Sequence, residues 1–150
     1  MAKTTGLQKG DKKLINAWAF YDWANSVYSL VISTAVFPIY YAGVTKEFDS
    51  YKLNGTIEFL GTDWNPGTLM SYTIAFFMLL VAFISPILSG IADYTGNKLK
   101  FLKFFCLLGS LSIIGLFFFK DESTLWLGIL LTITSGIGFW GSIVFYNAYL

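Results

Sequence analysis

One residue in this 150-residue sequence combines a reactive type with a costly setting, and it is Asp22. It stands in Ala19-Phe20-Tyr21-Asp22-Trp23-Ala24-Asn25-Ser26, at the head of an apolar stretch in which the next charge is Lys46. A membrane-crossing helix takes about 20 residues, so Asp22 sits just inside a span. A carboxylate at the centre of such a helix costs about 2.5–3.5 kcal/mol on insertion scales, and less near the interface. A group that costly faces protein or water, not lipid. The chemistry open to it is that of a gate or a coupling residue on a solute path. On a helix, Asp22, Ser26, Ser29 and Ser33 follow at steps of four, three and four, so they share one side, with Asn25 beside them. The serines have two readings: hydrogen-bonding glue between helices, or the lining of a solute pathway. For Asp22 the pathway reading is the stronger, because ionisable groups within spans usually mark functional routes.

A second constellation is Ser89-Gly90-Ile91-Ala92-Asp93-Tyr94-Thr95-Gly96-Asn97-Lys98. Asp93 falls at the carboxyl end of a helix, where the dipole already presents partial negative charge. A cation or another helix's amino end must compensate it, and Lys98 is the nearest cation in sequence. Gly90 would let a neighbouring backbone approach, and Gly96 supplies the left-handed residue of the turn. These parts suit a cytoplasmic latch that makes and breaks with conformational state. They equally suit an ordinary turn with charges for solubility.

Other chemistries lack their parts. There is no His, and the single Cys106 lies in an apolar run. With no imidazole there is no imidazole proton shuttle and no His metal site. Neither an enzyme, a cofactor, a metal site nor a nucleic-acid partner is expected.

The elements that carry these residues are spans. The chain is 55% hydrophobic and 13% charged, against about 25% charged in a soluble domain. Its mean hydropathy is +0.62. The pattern predicts an all-α membrane protein: a basic lead-in over 1–13, then transmembrane helices over about 14–43, 67–94, 99–119 and 125–150. No cleavable leader is expected, since the first apolar run is too long for one. Pro38 should kink or end the first span and Pro86 bend the second. Residues 46–65 read as a polar loop that ends in Asn65-Pro66-Gly67, a helix start. Ser123 or Thr124 is the expected cap of the fourth span. That span is rich in small residues, and Gly138 with Ser142 makes a small-xxx-small pair that predicts close packing on a neighbour.

Orientation follows from lysine. The lead-in and the loop between spans 2 and 3 hold seven of the ten Lys, while the opposite loops hold three Lys and six of the nine acids. The amino terminus is expected in the cytoplasm. The chain stops at Tyr146-Asn147-Ala148-Tyr149-Leu150 with no basic anchor and no polar tail, so the expectation is the front part of a longer protein.

The loop around Asp93 resembles the signature between spans 2 and 3 of the major facilitator superfamily. Asp93, Gly96 and Lys98 match; Ser89 stands at the usual glycine place, and Tyr94 and Asn97 replace basic residues. The run Tyr21-Asp22-Trp23-Ala24-Asn25 and the segment Phe145 to Leu150 resemble the vacuole effluxer-like branch, the group containing the autophagy-related vacuolar amino-acid permease. The resemblance covers essentially the whole chain. It implies the amino-terminal part of a 12-helix bundle, with solute bound at the midplane and alternating access by rocking. It implies Asp22 and Asn25 near the cytoplasmic gate and Asp93 as the latch acid. The expected function is secondary transport, efflux of amino acids or similar small polar solutes. The expected partners are the lipid bilayer, a solute and a coupling proton or ion, and the expected location is a bacterial cytoplasmic membrane. Two alternatives remain: a complete four-span exporter working as a dimer, and a scaffold subunit that transports nothing.

Overall fold

A computed structural model of the chain describes residues 12–45 and 55–147. Most of the basic lead-in, the first part of the loop after the first span and residues 148–150 lie outside the described residues. Among the described residues, four helical stretches are long and apolar enough to cross a bilayer: Ile15–Val44, Pro66–Ile91, Lys98–Phe118 and Glu122–Asn147. The shortest has 21 residues, about 31 Å at 1.5 Å per residue, and the hydrocarbon core is about 30 Å. The protein is an all-α membrane protein with one small hairpin between its first two spans. It divides into two compact units, Met1–Ile39 and Tyr40–Leu150.

The first unit is a rod. Helix α1, Lys12–Val27, passes into a π-helix over Tyr28–Ala35, and α2, Val36–Val44, follows. The N–H of Val36 reaches back five residues to the carbonyl of Val31. Pro38 explains the wide turns physically. In a regular α-helix its ring would press on the carbonyl four residues earlier, that of Thr34, and it offers that carbonyl no N–H. Widening the turns just upstream relieves the crowding. The first span therefore does not end at Pro38; it runs on to Val44.

The second unit is a bundle built on its last helix. Helix α3, Pro66–Thr95, starts where the Asn65 side chain accepts the Thr68 N–H at 3.1 Å, with Pro66 in the first turn. It runs through Pro86 and stops at Gly96, whose φ of 66° is left-handed. Helix α4, Lys98–Gly115, tightens into a 3-10 turn over Leu116–Phe118. Helix α5, Leu125–Asn147, packs along both α3 and α4. Its cap is Asp121, not Ser123 or Thr124. The Asp121 carboxylate accepts the Thr124 N–H while the Thr124 hydroxyl takes the Asp121 N–H, a reciprocal capping box one turn before α5.

Glycines let the helices close. A Cβ on Gly138 would lie 2.5 Å from the Gly109 Cα, so α4 and α5 touch backbone to backbone there. Gly141 seats the ring of Phe105, and Gly136 that of Phe77 on α3. Around this seam Phe145, 1% exposed, stacks on Phe101 and Phe105 with ring centres 5.3 and 5.7 Å away. Ser112 donates to the Thr134 hydroxyl at 2.8 Å, a polar tie between α4 and α5.

At the other end Phe119, with 0% exposure, is the knob. Tyr41 packs on its ring, and the Tyr40 hydroxyl donates to its carbonyl. The Tyr41 hydroxyl donates to the carbonyl of Pro66 at 3.1 Å, tying the end of the first span to the start of the second. The loop expected over 46–65 contains structure in its described part. Strands β1, Ile57–Phe59, and β2, Thr62–Trp64, pair antiparallel with Phe59 opposite Thr62. The two-residue turn between them has positive φ at both positions, Leu60 at 56° and Gly61 at 75°. That is the twist-matched hairpin turn, and it places a leucine where glycine or asparagine is usual.

Candidate functional site

The polar stripe lies on the rod of the first unit. Asp22, Ser26, Ser29 and Ser33 are exposed and Asn25 is half-buried. The Ser26 hydroxyl donates to the Asp22 backbone carbonyl at 3.1 Å, so the helix itself satisfies it. The π-helix adds a member that regular spacing hides. Thr34 donates to the carbonyls of Leu30 at 2.9 Å and Ser29 at 3.1 Å, four and five residues back. In a π-helix residues five apart stack, which brings Thr34 over Ser29. Pro38 was the one signal in sequence that could have found it. Around the stripe Phe20, Trp23 and Leu30 are about two-thirds exposed, and Phe20 lies against Trp23 with ring centres 5.6 Å apart. The rod thus presents a carboxylate and hydroxyls on a surface otherwise fit for lipid.

The loop constellation lies in the second unit and is described by itself. Gly96 turns the chain so that Asp93 and Lys98 meet, Oδ1 to Nζ at 2.6 Å. Lys98 is the cation that the helix terminus requires of Asp93. The pair is partly open to solvent, with the side chain of Lys98 29% and that of Asp93 60% exposed. Pairs of this kind contribute about 0–1 kcal/mol. Gly90 stands in open space: a Cβ there would meet nothing within 4 Å among the described residues. So Asp93, Gly96 and Lys98 come together, and Gly90 makes no close approach to another described segment.

Gly138 and Ser142 lie in the seam. Gly138 faces Gly109, a partner whose glycine sits in an apolar run with no spacing to mark it. Ser142, 2% exposed, donates to the Phe139 carbonyl at 2.7 Å within its own helix. Among the described residues no group of three or more His, Cys, Asp or Glu could hold a metal ion.

Two open clefts lie in the second unit. One, of about 590 Å³, is lined by Tyr40, Gly43, Val44 and the turn Lys120 to Ser123. The other, of about 480 Å³, lies where α3 ends and α4 begins and is lined by Leu88, Asn97, Lys100, Phe101, Phe104 and Phe105.

Comparison with known proteins shows the family. The family described as vacuole effluxer Atg22 like matches residues 10–150. The sequence is 42% identical over 145 residues to a protein of Bacillus subtilis (strain 168) named Uncharacterized MFS-type transporter YxiO. That alignment covers 96% of this chain and 31% of the relative, so the chain spans about a third of the relative's length. No solved structure matches.

Proposed function

The chain belongs to the vacuole effluxer Atg22-like family, and on that premise we propose that it serves as part of a secondary transporter that moves amino acids or similar small polar solutes out by alternating access. The observation that carries this reading is the stripe Asp22, Ser26, Ser29, Ser33 and Thr34 on a helix otherwise clothed in apolar side chains. In lipid such a surface is costly; against a water-filled path it is favourable. In this reading Asp22 and Asn25 sit near the cytoplasmic gate, and Asp22 exchanges a coupling proton or ion. Asp93, Gly96 and Lys98 form a latch whose surface pair opens and closes with the transport state, Gly90 leaving room beside it. The lysine distribution supports an amino terminus and an α3–α4 loop on the cytoplasmic side, and in this reading the membrane is a bacterial cytoplasmic membrane.

The test is flux of amino acids into and out of vesicles carrying the full-length protein. Asp22→Asn removes the charge and keeps the shape; it should cut flux at least tenfold, the scale of about 1.4 kcal/mol in a barrier. Asp93→Asn should slow turnover while leaving solute binding in place. Unchanged flux in both variants would remove the site assignment, and no flux in the wild type would remove the function.

A further inference from the structure

The cleft between the end of α3 and the start of α4 has the build of a lipid site. Its floor is aromatic and fixed: Phe105 is buried, Phe104 meets it edge-on with ring centres 5.3 Å apart, and Phe101 and Phe105 both stack on Phe145 of α5. Phe104 remains 59% exposed. Its rim is polar and basic. Lys100 and Asn97 line it, and Lys103 lies one turn further along α4. Lys98 is held by Asp93, but among the described residues no carboxylate pairs with Lys100 or Lys103.

Position in the membrane sorts these groups by depth. By length and composition the second candidate span ends at Ile91 and the third begins at Lys98. Lys100 therefore stands at headgroup level, and Phe104, four residues on, lies about 6 Å deeper. Tyr94, 93% exposed beside this end, is placed as interfacial aromatics are. A cation at the surface above an apolar groove complements a molecule with a phosphate above a hydrocarbon chain.

We propose that this cleft binds an anionic phospholipid, its phosphate at Lys100 and Asn97 and one acyl chain along Leu88, Phe101, Phe104 and Phe105. The proposal depends on the chain spanning a membrane and not on the solute or direction of transport.

Native mass spectrometry of the full-length protein, delipidated in detergent and titrated with phosphatidylglycerol or phosphatidylcholine, tests it. Phosphatidylglycerol should occupy a site that phosphatidylcholine fills weakly. Lys100→Gln should lower that occupancy about fivefold, the weight of one lysine at an anionic surface, and Phe104→Ser should weaken both lipids. Lys120→Gln, at the opposite end of the bundle, should change nothing, and circular dichroism confirms that each variant is folded. Equal binding of the two lipids, no loss with Lys100→Gln, or no retained lipid at all would overturn the proposal. Competition by inorganic phosphate alone would also overturn it, in favour of a free-anion site.

Discussion

Three acids on this chain meet three different surroundings, and each answers to different physics. Asp22 stands exposed within an apolar rod, Asp93 is paired with Lys98 at 2.6 Å, and Asp121 caps a helix. The Ser123 hydroxyl, with the N–H and hydroxyl of Thr124, holds the Asp121 carboxyl below its ordinary value and outweighs the opposing effect of desolvation. A carboxyl whose folded value is depressed favours the folded state when ionised. Its contribution is complete above the unfolded value, about 3.9, and is lost as pH falls through the lower folded value. Asp121→Asn can still accept the Thr124 N–H but does not titrate. In thermal melts between pH 6 and pH 3, the wild type's advantage over Asp121→Asn should shrink as pH falls. A gap that stays constant over that range would show that charge plays no part in the cap. Leu60 belongs at this scale too: a bulky side chain at φ 56° carries strain, of the order of 1–2 kcal/mol for an L-residue in the left-handed region, and only the hairpin turn explains it.

Among the elements, α5 decides the packing of its unit. Gly138 allows α4 to approach until backbone meets backbone, and Gly136 and Gly141 accept rings from either side. Gly138→Ala would press a methyl into the Gly109 backbone, which cannot give as a side-chain tip can. The expected loss is about 1–3 kcal/mol, the range for overpacking, read as a lower denaturation midpoint. Gly90→Ala is the control: it sits in α3 facing open space and should be neutral or stabilising by up to about 1 kcal/mol through helix propensity. If both variants lose stability alike, close approach is not what Gly138 supplies. The sequence carries a local signal for close packing of this helix, small residues at a four-residue step. It did not name Gly109 or Phe119 as the partners, because a partner is a long-range fact. The same limit explains the π-helix and the hairpin. Regular spacing assumes regular turns, and Leu60-Gly61 lacks the Asn-Gly or Asp-Gly that usually announces such a turn. The cap moved from Ser123 or Thr124 to Asp121 because a 3-10 turn intervenes before α5.

For the whole molecule, the most legible fact was also the strongest physically. Long apolar blocks separated by charged turns leave a chain with one way to satisfy its backbone in lipid, which is helix. The membrane fold follows from that alone, and the family matched over residues 10–150 is the one that the resemblance implied. The site was less legible. Spacing gathers Asp22 and the serines on one face, and the Gly96 turn brings Asp93 to Lys98. What faces the stripe depends on packing between elements, which spacing does not encode.

The central claim is that water and solute reach Asp22. Asp22→Cys in a cysteine-free full-length background, in sealed vesicles, exposes that position to a charged, membrane-impermeant thiol reagent. Asp22→Cys should label readily, Trp23→Cys on the neighbouring apolar surface should resist, and a transported amino acid should slow the labelling of Asp22→Cys. A thiol at position 22 that stays unlabelled from both sides of the membrane, with or without solute, would contradict the account.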